Sequence, residues 1–382
     1  MKIIFKTLLG VAAAALVHSC ATAPSQTLSG LSPEKFVSEV NGKPTALYTL
    51  VNANGMEVCV TNFGGRIVSV MVPDRNGEMK DVVLGFDNIA NYADKVNTPS
   101  DFGASVGRYA NRINKGQIVI DGETIQLPQN NFGHCLHGGP DGWQYQVYDA
   151  VQPDNSTIVL TMESPDGDAN FPGAVTAVVT MKVTDDNAID ISYEAVTDKK
   201  TVINMTNHTY FNLSGDPTRR VDDHLMQIDA DNFTPVDFTF MTTGEILPVE
   251  GTPMDFRQPA AIGQDIKNFE FQQVKFGNGF DHNWCLNTAG DDTKVAARAW
   301  CPETGICLEV LTDEPGVQFY SGNFLDGNCT GKNGVTYQQS TGFCLETQKY
   351  PDTPNKPEWP SAFLEPGQKY TSHCVYRFST VE

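Results

Sequence analysis

Between residues 175 and 195 the chain changes polarity at almost every step. Val175, Ala177, Val179, Met181 and Val183 alternate with Thr176, Thr180 and Lys182; Ile189, Ile191, Tyr193 and Ala195 alternate with Asp190, Ser192 and Glu194. Successive side chains of a strand point to opposite faces, so a period of two writes strands with one face on a core and the other in water. The intervening "TDDNA" has the turn residues of a hairpin. Similar strands read at 56–63, 66–72, 117–121, 157–162, 305–311 and 370–378. Helical periodicity is confined to short turns near 86–92 and 258–268. Glycine at 33 and proline at 22 supply the many turns such a chain needs, as in "DRNG", "SPDGD", "LDGN" and "EPGQ". The expectation is an all-β fold: one large antiparallel β-sandwich over residues 41–382, its sheets packed face to face.

The formal net charge of −20 narrows the partners. So acidic a surface repels phosphate backbones and anionic membranes, so nucleic acid is not an expected partner. It also disfavours phosphorylated substrates, unless a local basic pocket overrides the field. The first twenty residues are a separate object. "MKIIFKTLLGVAAAALVHSC" carries Lys2 and Lys6, an apolar run from Leu8 to Val17, and then Cys20. A positive start and a short apolar run are the pattern of an export signal, too short for a mature membrane span. The segment resembles a bacterial lipoprotein signal, with Val17-His18-Ser19-Cys20 as the lipobox; ordinary secretion with cleavage nearby is the other reading. Residues 1–19 are therefore expected as signal peptide, and residues 20–40 as the lipid-attachment cysteine and a tether. "ATAPSQTLSGLSPE" is small, polar and proline-containing. The lack of acidic residues just after Cys20 points to the periplasmic side of a membrane, reached only through that anchor.

Beyond Cys20 stand Cys59, Cys135, Cys285, Cys301, Cys307, Cys329, Cys344 and Cys374. None forms a C-x-x-C pair, so a zinc site has no support. Most lie in apolar runs ("HNWCL", "GFCLE", "GICLEV") and are expected as buried free thiols.

Chemistry at neutral pH points first to the histidines. His224 follows two aspartates and reads as solvated, and His373 sits in the last strand. "NNFGHCLHGG" sets His134 and His137 beside two glycines, either a polar loop or a place of close backbone approach. "NMTNHTYFNLSG" surrounds His208 with amides and hydroxyls. Its three N-x-S/T triplets, at Asn204, Asn207 and Asn212, are glycan acceptors on one reading. On the other, their side chains orient the imidazole. "NGFDHNW" puts Asp281 and His282 between aromatic residues, as sugar sites do and as ordinary turns do. "TGFCLETQ" places Glu346 in a mostly apolar run, where a carboxylate must be paired, hydrogen-bonded or functional. Arg108 and Arg112 of "GRYANRINKG" read equally well as surface ion pairs.

Together the stretches resemble one family. "DVVLGFDNIANY", "GRYANRINKGQIVIDG", "CLHGG", "TNHTYFNLSG", "GTPMDFRQP", "GFDHNW", "EPGVQFYSGNFLDG" and "TGFCLETQ" run from about residue 45 to 378 in the order of the aldose 1-epimerase (galactose mutarotase) family. The resemblance implies a galactose mutarotase-like supersandwich, in agreement with the alternation. It implies an isomerase that interconverts the α and β anomers of free aldohexoses such as galactose and glucose. Carried across residue by residue, it makes Glu346 the base, His208 the acid and His137 a second catalytic imidazole. Asn111, Arg112, Tyr210, Asp281 and Gln318 fall at sugar-site positions. His134 departs from the family, which often has asparagine there. No metal or cofactor is expected, and the partners are small free sugars met by a monomer. The alternative is a non-catalytic carbohydrate-binding protein of the same fold; loss of Glu346 or His208 would mark it, and both are present. A glycosidase would use Glu346 and Asp281 as opposed carboxylates and leave the histidines idle. With a bacterial anchor signal the triplets are expected to orient His208 and not to carry sugar.

Overall fold

The computed structural model describes residues 26–382. The signal peptide and Cys20 lie outside the described residues. The tether expected through residue 40 ends sooner. Leu31 is 3% exposed and Phe36 is fully buried, and the Leu28 N–H donates to Glu57 Oε1 at 2.8 Å. Two apolar side chains in that stretch are enough to dock it.

One sheet has nine antiparallel strands. In spatial order these are Asp149–Val151, Thr157–Ser164, Val175–Val183, Ala188–Thr197, Tyr370–Thr380, Ile306–Thr312, Val295–Trp300, Leu225–Ile228 and Ala260–Ala261. The expected hairpin lies inside it, with Val179 opposite Tyr193 and strict alternation of burial along Val175–Val183. A second layer holds a four-stranded sheet (Leu47–Val51, Glu57–Thr61, Arg66–Pro73, Met79–Asp81). It also holds a five-stranded one, in the order Leu247–Pro248, Asn232–Thr234, Asp281–Cys285, Gly316–Tyr320, Cys344–Gln348. One continuous core joins them, with Ile191 and Tyr376 from the large sheet, Val70 from the four-stranded sheet, and Trp284 and Phe319 from the five-stranded one. The short helices are Ile89–Ala93, Ile262–Asp265 and Gln272–Gly277, the first two where helical turns were expected.

The five-stranded sheet divides its side chains by parity. Trp284, Val317, Phe319 and Leu345 enter the core. Directly paired residues share a face, and Gln318 pairs with Glu346 while Tyr320 pairs with both Asp281 and Cys344. Asp281, Gln318, Tyr320, Cys344 and Glu346 therefore stand together on the opposite face. The parity also explains His282, which neighbours Asp281 but points inward and is fully buried. Against this face lies a small sheet in which Thr206–His208 pairs with Ala104–Val106. Gly103 lets the ribbon pass close to the four-stranded sheet: φ is +69°, and a Cβ there would sit 1.9 Å from the Ile67 carbonyl oxygen.

Three expectations are corrected. His224 is fully buried, not solvated; its Nε2 accepts the Leu213 N–H at 3.0 Å and its Nδ1 lies 3.0 Å from Asp223 Oδ1. Arg108 makes no surface ion pair: it is buried and donates to the carbonyls of Pro172 and Gly173 at 2.9 Å. Arg112 is buried too. The asparagines of the triplets are also buried, Asn204 at 0%, Asn207 at 1% and Asn212 at 2% exposure, and they brace backbone instead of touching the His208 ring. Asn207 donates to the Gly103 carbonyl at 3.0 Å, and Asn212 donates to the carbonyls of Asp216, Arg219 and Thr341. These amides shape the loops on either side of the histidine. Among the described residues the eight cysteines are free thiols, all buried except the half-buried Cys329.

Replacing Asn212 leaves those carbonyls without their donor. Asn212→Ala is expected to cost about 2–4 kcal/mol of stability by urea denaturation; a loss within about 0.5 kcal/mol would mean the amide braces nothing.

Candidate active site

A pocket of about 420 Å³ opens between these two sheets. Asn111, Arg112, His137, His208, Tyr210, Asp281 and Glu346 line it, joined by Asp101, Asn131, Phe240 and Tyr320. At its floor His208 Nε2 faces Glu346 Oε1 at 3.5 Å, with both side chains under one-tenth exposed. Tyr210 stacks on the imidazole at 5.1 Å between centroids. Cys344 Sγ lies 3.5 Å from His208 Nδ1. Burial holds that thiol well above its ordinary pKa, so it stays protonated. With His208 as imidazolium, its Nδ1–H points at that sulfur and its Nε2–H at Glu346.

His137 is fixed by its neighbour Asn111. The Asn111 N–H donates to His137 Nδ1 at 3.1 Å, and the His137 N–H donates to the Asn111 carbonyl at 3.1 Å. Both residues sit at positive φ, +61° for Asn111 and +51° for His137, a conformation the reciprocal bonds maintain. With Nδ1 an acceptor, the proton of neutral His137 is on Nε2. Arg112 Nε and Nη2 both donate to Asn131 Oδ1, at 3.2 and 2.9 Å, and its guanidinium lies 5.1 Å from the Phe240 ring centroid. Gln318 does not line the pocket. It donates to Asp281 Oδ1 at 2.7 Å and so aims that carboxylate. His134 is a clip: its Nδ1 accepts the Lys115 N–H at 3.0 Å and its Nε2 meets Thr239 Oγ1 at 2.9 Å.

The electrostatics push the pair toward neutrality. Burial raises Glu346 well above an ordinary carboxylate; Asp281 and Asp101 add to this and Arg112 opposes it. Burial lowers His208, against the pull of Asp101 and Asp281. Burial takes His137 down to about 3, so it is a neutral donor throughout the physiological range. Neutral His208 with protonated Glu346 holds the same number of protons as imidazolium with carboxylate. One proton belongs to the pair in either form.

Sequence reasoning missed Asp101, Asn131, Cys344 as a histidine partner, and the aromatic wall of Tyr320 and Phe240. Cys344 was legible through its spacing: it precedes Glu346 by two on one strand and must share its face. Asp101 had no such signal, lying in an irregular loop. One carboxylate oxygen of Asp101 and one ring nitrogen each of His137 and His208 lie within 4.8 Å of one another, close enough to meet at a shared cation. A larger depression of about 600 Å³ around Gly251–Asp265 has no such chemistry. Its Arg257 is already paired with Asp255, and no histidine lines it.

Glu346 Oε2 is buried without a hydrogen-bond partner. An unfolded glutamate titrates near about 4.3, while folded Glu346 is held above that. Across the window from about pH 4.3 up to the folded value, the unfolded chain releases the proton first and wild-type stability falls. Glu346→Gln removes this loss. Its melting temperature is expected to exceed wild type at pH 8 by several degrees and to converge toward it near pH 4; an advantage that does not grow with pH would place the carboxylate in a solvated setting.

The aldose 1-epimerase family model matches residues 46–377. A galactose mutarotase from Homo sapiens is 40% identical over 324 residues, covering 85% of this chain and 91% of that protein. An aldose 1-epimerase from Escherichia coli (strain K12) is 38% identical over 341 residues, covering 88% and 96%. Among solved structures, a GalM/aldose epimerase homologue from C. elegans superposes with a TM-score of 0.81 at 31% identity, over 88% of this chain and all of the other. A galactose 1-epimerase from Lactobacillus acidophilus NCFM superposes with a TM-score of 0.79 at 29% identity, over 90% and 97%. Matched over nearly its whole described length, the chain belongs to the aldose 1-epimerase family.

Proposed function

We propose that the chain interconverts the α and β anomers of free aldohexoses, galactose and glucose first among them, by acid–base ring opening and closure. The observation that carries this is the buried carboxylate–imidazole pair at the floor of a hydroxyl-binding pocket, 3.5 Å apart. Glu346 as carboxylate takes the proton of the C1 hydroxyl. His208 as imidazolium gives its Nε2 proton to the ring oxygen, and the bond between C1 and that oxygen breaks. The aldehyde forms, the C1–C2 bond rotates, and the ring closes on the other face with both proton transfers reversed. Each group ends as it began. Arg112 favours the carboxylate on Glu346, and Asp101 and Asp281 favour the charge on His208. Asp281 and Arg112 also hold the sugar while C1 turns over, a contribution from positioning.

Each general catalyst contributes on the order of 10²–10⁴-fold. Glu346→Gln is expected to lose at least about 10²-fold of mutarotation, read by polarimetry of freshly dissolved α-galactose or α-glucose, while still binding sugar. Equal rates in mutant and wild type would overturn the assignment. His208→Asn should lose more than His134→Asn, because His134 faces Lys115 and Thr239 and does not line the pocket; the reverse order would mean that the acid is another residue.

The localisation proposal is an exported lipoprotein, held by lipid at Cys20 on the periplasmic side of a membrane and working as a monomer. The leader sequence supports it. Mass spectrometry of the mature protein should find Cys20 as the lipid-modified N-terminus; an unmodified terminus elsewhere would contradict the anchor.

A further inference from the structure

The residue that the chemistry above leaves underused is Asp101. It lines the pocket beside the histidines, and its Oδ1 is buried with no hydrogen-bond partner. An acceptor so placed costs free energy unless something that enters the pocket donates to it. The loop that carries it is held firmly. Arg66, fully buried, donates to the Phe102 carbonyl at 3.0 Å and to the Ser100 carbonyl at 3.1 Å, one residue to each side of Asp101. The Ala104 N–H donates to the Asp101 carbonyl at 3.0 Å. The backbone is clamped and the carboxylate is left free.

What it faces identifies the donor. Asp101, His137 and His208 offer one atom each within 4.8 Å of one another. Two hydrogen bonds of about 2.8 Å that meet at one hydroxyl oxygen span about 4.6 Å. A sugar hydroxyl between Asp101 and His137 would donate to the carboxylate and accept from the His137 Nε2–H, satisfying both protein groups at once. The anomeric end of the sugar fixes which hydroxyl this is. His208 serves the ring oxygen and Glu346 serves the C1 hydroxyl. The ring oxygen has only two carbon neighbours, C1 and C5, and the C1 side belongs to Glu346. On the histidine side the next hydroxyl is the one on C6, carried by C5.

The geometry points to Asp101 as a specificity residue that accepts a hydrogen bond from the exocyclic C6 hydroxyl of an aldohexose, with His137 donating to the same oxygen. The site then reads hexoses against 6-deoxy sugars and pentoses, which offer no such donor. The proton in this contact stays on the sugar and no bond is made or broken. The charge on Asp101 also pulls both histidines upward in pKa, an effect common to every substrate.

This inference rests on the isomerase reading, and the test separates the two. kcat/KM is measured by polarimetry for two matched pairs, D-galactose with 6-deoxy-D-galactose and D-glucose with 6-deoxy-D-glucose, on wild type, Asp101→Asn and Asp101→Ala. Wild type is expected to prefer each parent hexose by about 10- to 100-fold, the worth of a hydrogen bond to a charged group. In both variants that preference should fall to within about threefold. Taking the ratio cancels any effect of lost charge on His208, since both sugars feel it equally. Melting temperatures check that the variants fold, and the unpartnered Oδ1 gives little reason for them not to. A wild-type preference that persists in both variants, or no wild-type preference at all, overturns the role of Asp101 while leaving the isomerase intact. Wild type no faster than the spontaneous reaction on galactose and glucose sinks both readings.

Discussion

A carboxyl group and an imidazole share one proton in a place where neither can easily be charged. Glu346 and His208 face each other across 3.5 Å, each almost wholly removed from water. Burial alone drives both toward their neutral forms. In water the two would titrate apart, the acid near about 4.3 and the imidazole near about 6.5. Here burial moves the two toward each other, the carboxyl up and the imidazole down. Opening a sugar ring needs one proton removed at O1 and one delivered at the ring oxygen. In the proposed mechanism a pair with a constant proton count does this without borrowing from solvent.

The fold supplies the pair by bringing two unrelated strands together. Cys344–Gln348 belongs to the five-stranded sheet, whose inner face is core and whose outer face carries Glu346, Asp281 and Tyr320. Thr206–His208 belongs to a two-stranded ribbon laid against that outer face. The ribbon is seated because Gly103 lets its backbone pass Ile67 of the four-stranded sheet and because Asn207 stitches the turn below it. Buried polar side chains on the way reach backbone carbonyls, as those of Arg66, Arg108 and Asn212 do, although the Nε atoms of both arginines are left without a partner. The orphans that remain near the pocket, Glu346 Oε2 and Asp101 Oδ1, are among those that a substrate would meet.

Much of this was legible in the sequence. Alternation of period two located the large sheet, because each strand there has one face in water. Glu346 announced itself as a charge among apolar residues. His208 and His137 were found by motif, and the structure brings them to one pocket. What could not be read was set by contacts distant in the chain. His224 looked solvated among acids, yet Leu213 closes over it. Arg108 looked like a surface ion-pair partner, and only the fold shows the carbonyls it reaches. Gln318 was expected at a sugar-site position; its register keeps it on the same face as Glu346, where its side chain donates to Asp281, a contact the sequence did not show. The Asn triplets looked like partners of the imidazole, a role that Cys344 fills from more than a hundred residues away. Asp101 sits in a loop with no periodicity, so nothing local could mark it.

The shared proton is open to direct measurement through the pH dependence of kcat/KM for mutarotation of a single aldose, followed by polarimetry. A pair that carries one proton gives a plateau through neutrality. The rate falls in acid where the pair takes up a second proton, below the ordinary histidine range, and in alkali where it loses its last one, above the ordinary glutamate range. A profile governed by one titration near about 6.5, as for a solvated histidine acting alone, would contradict it.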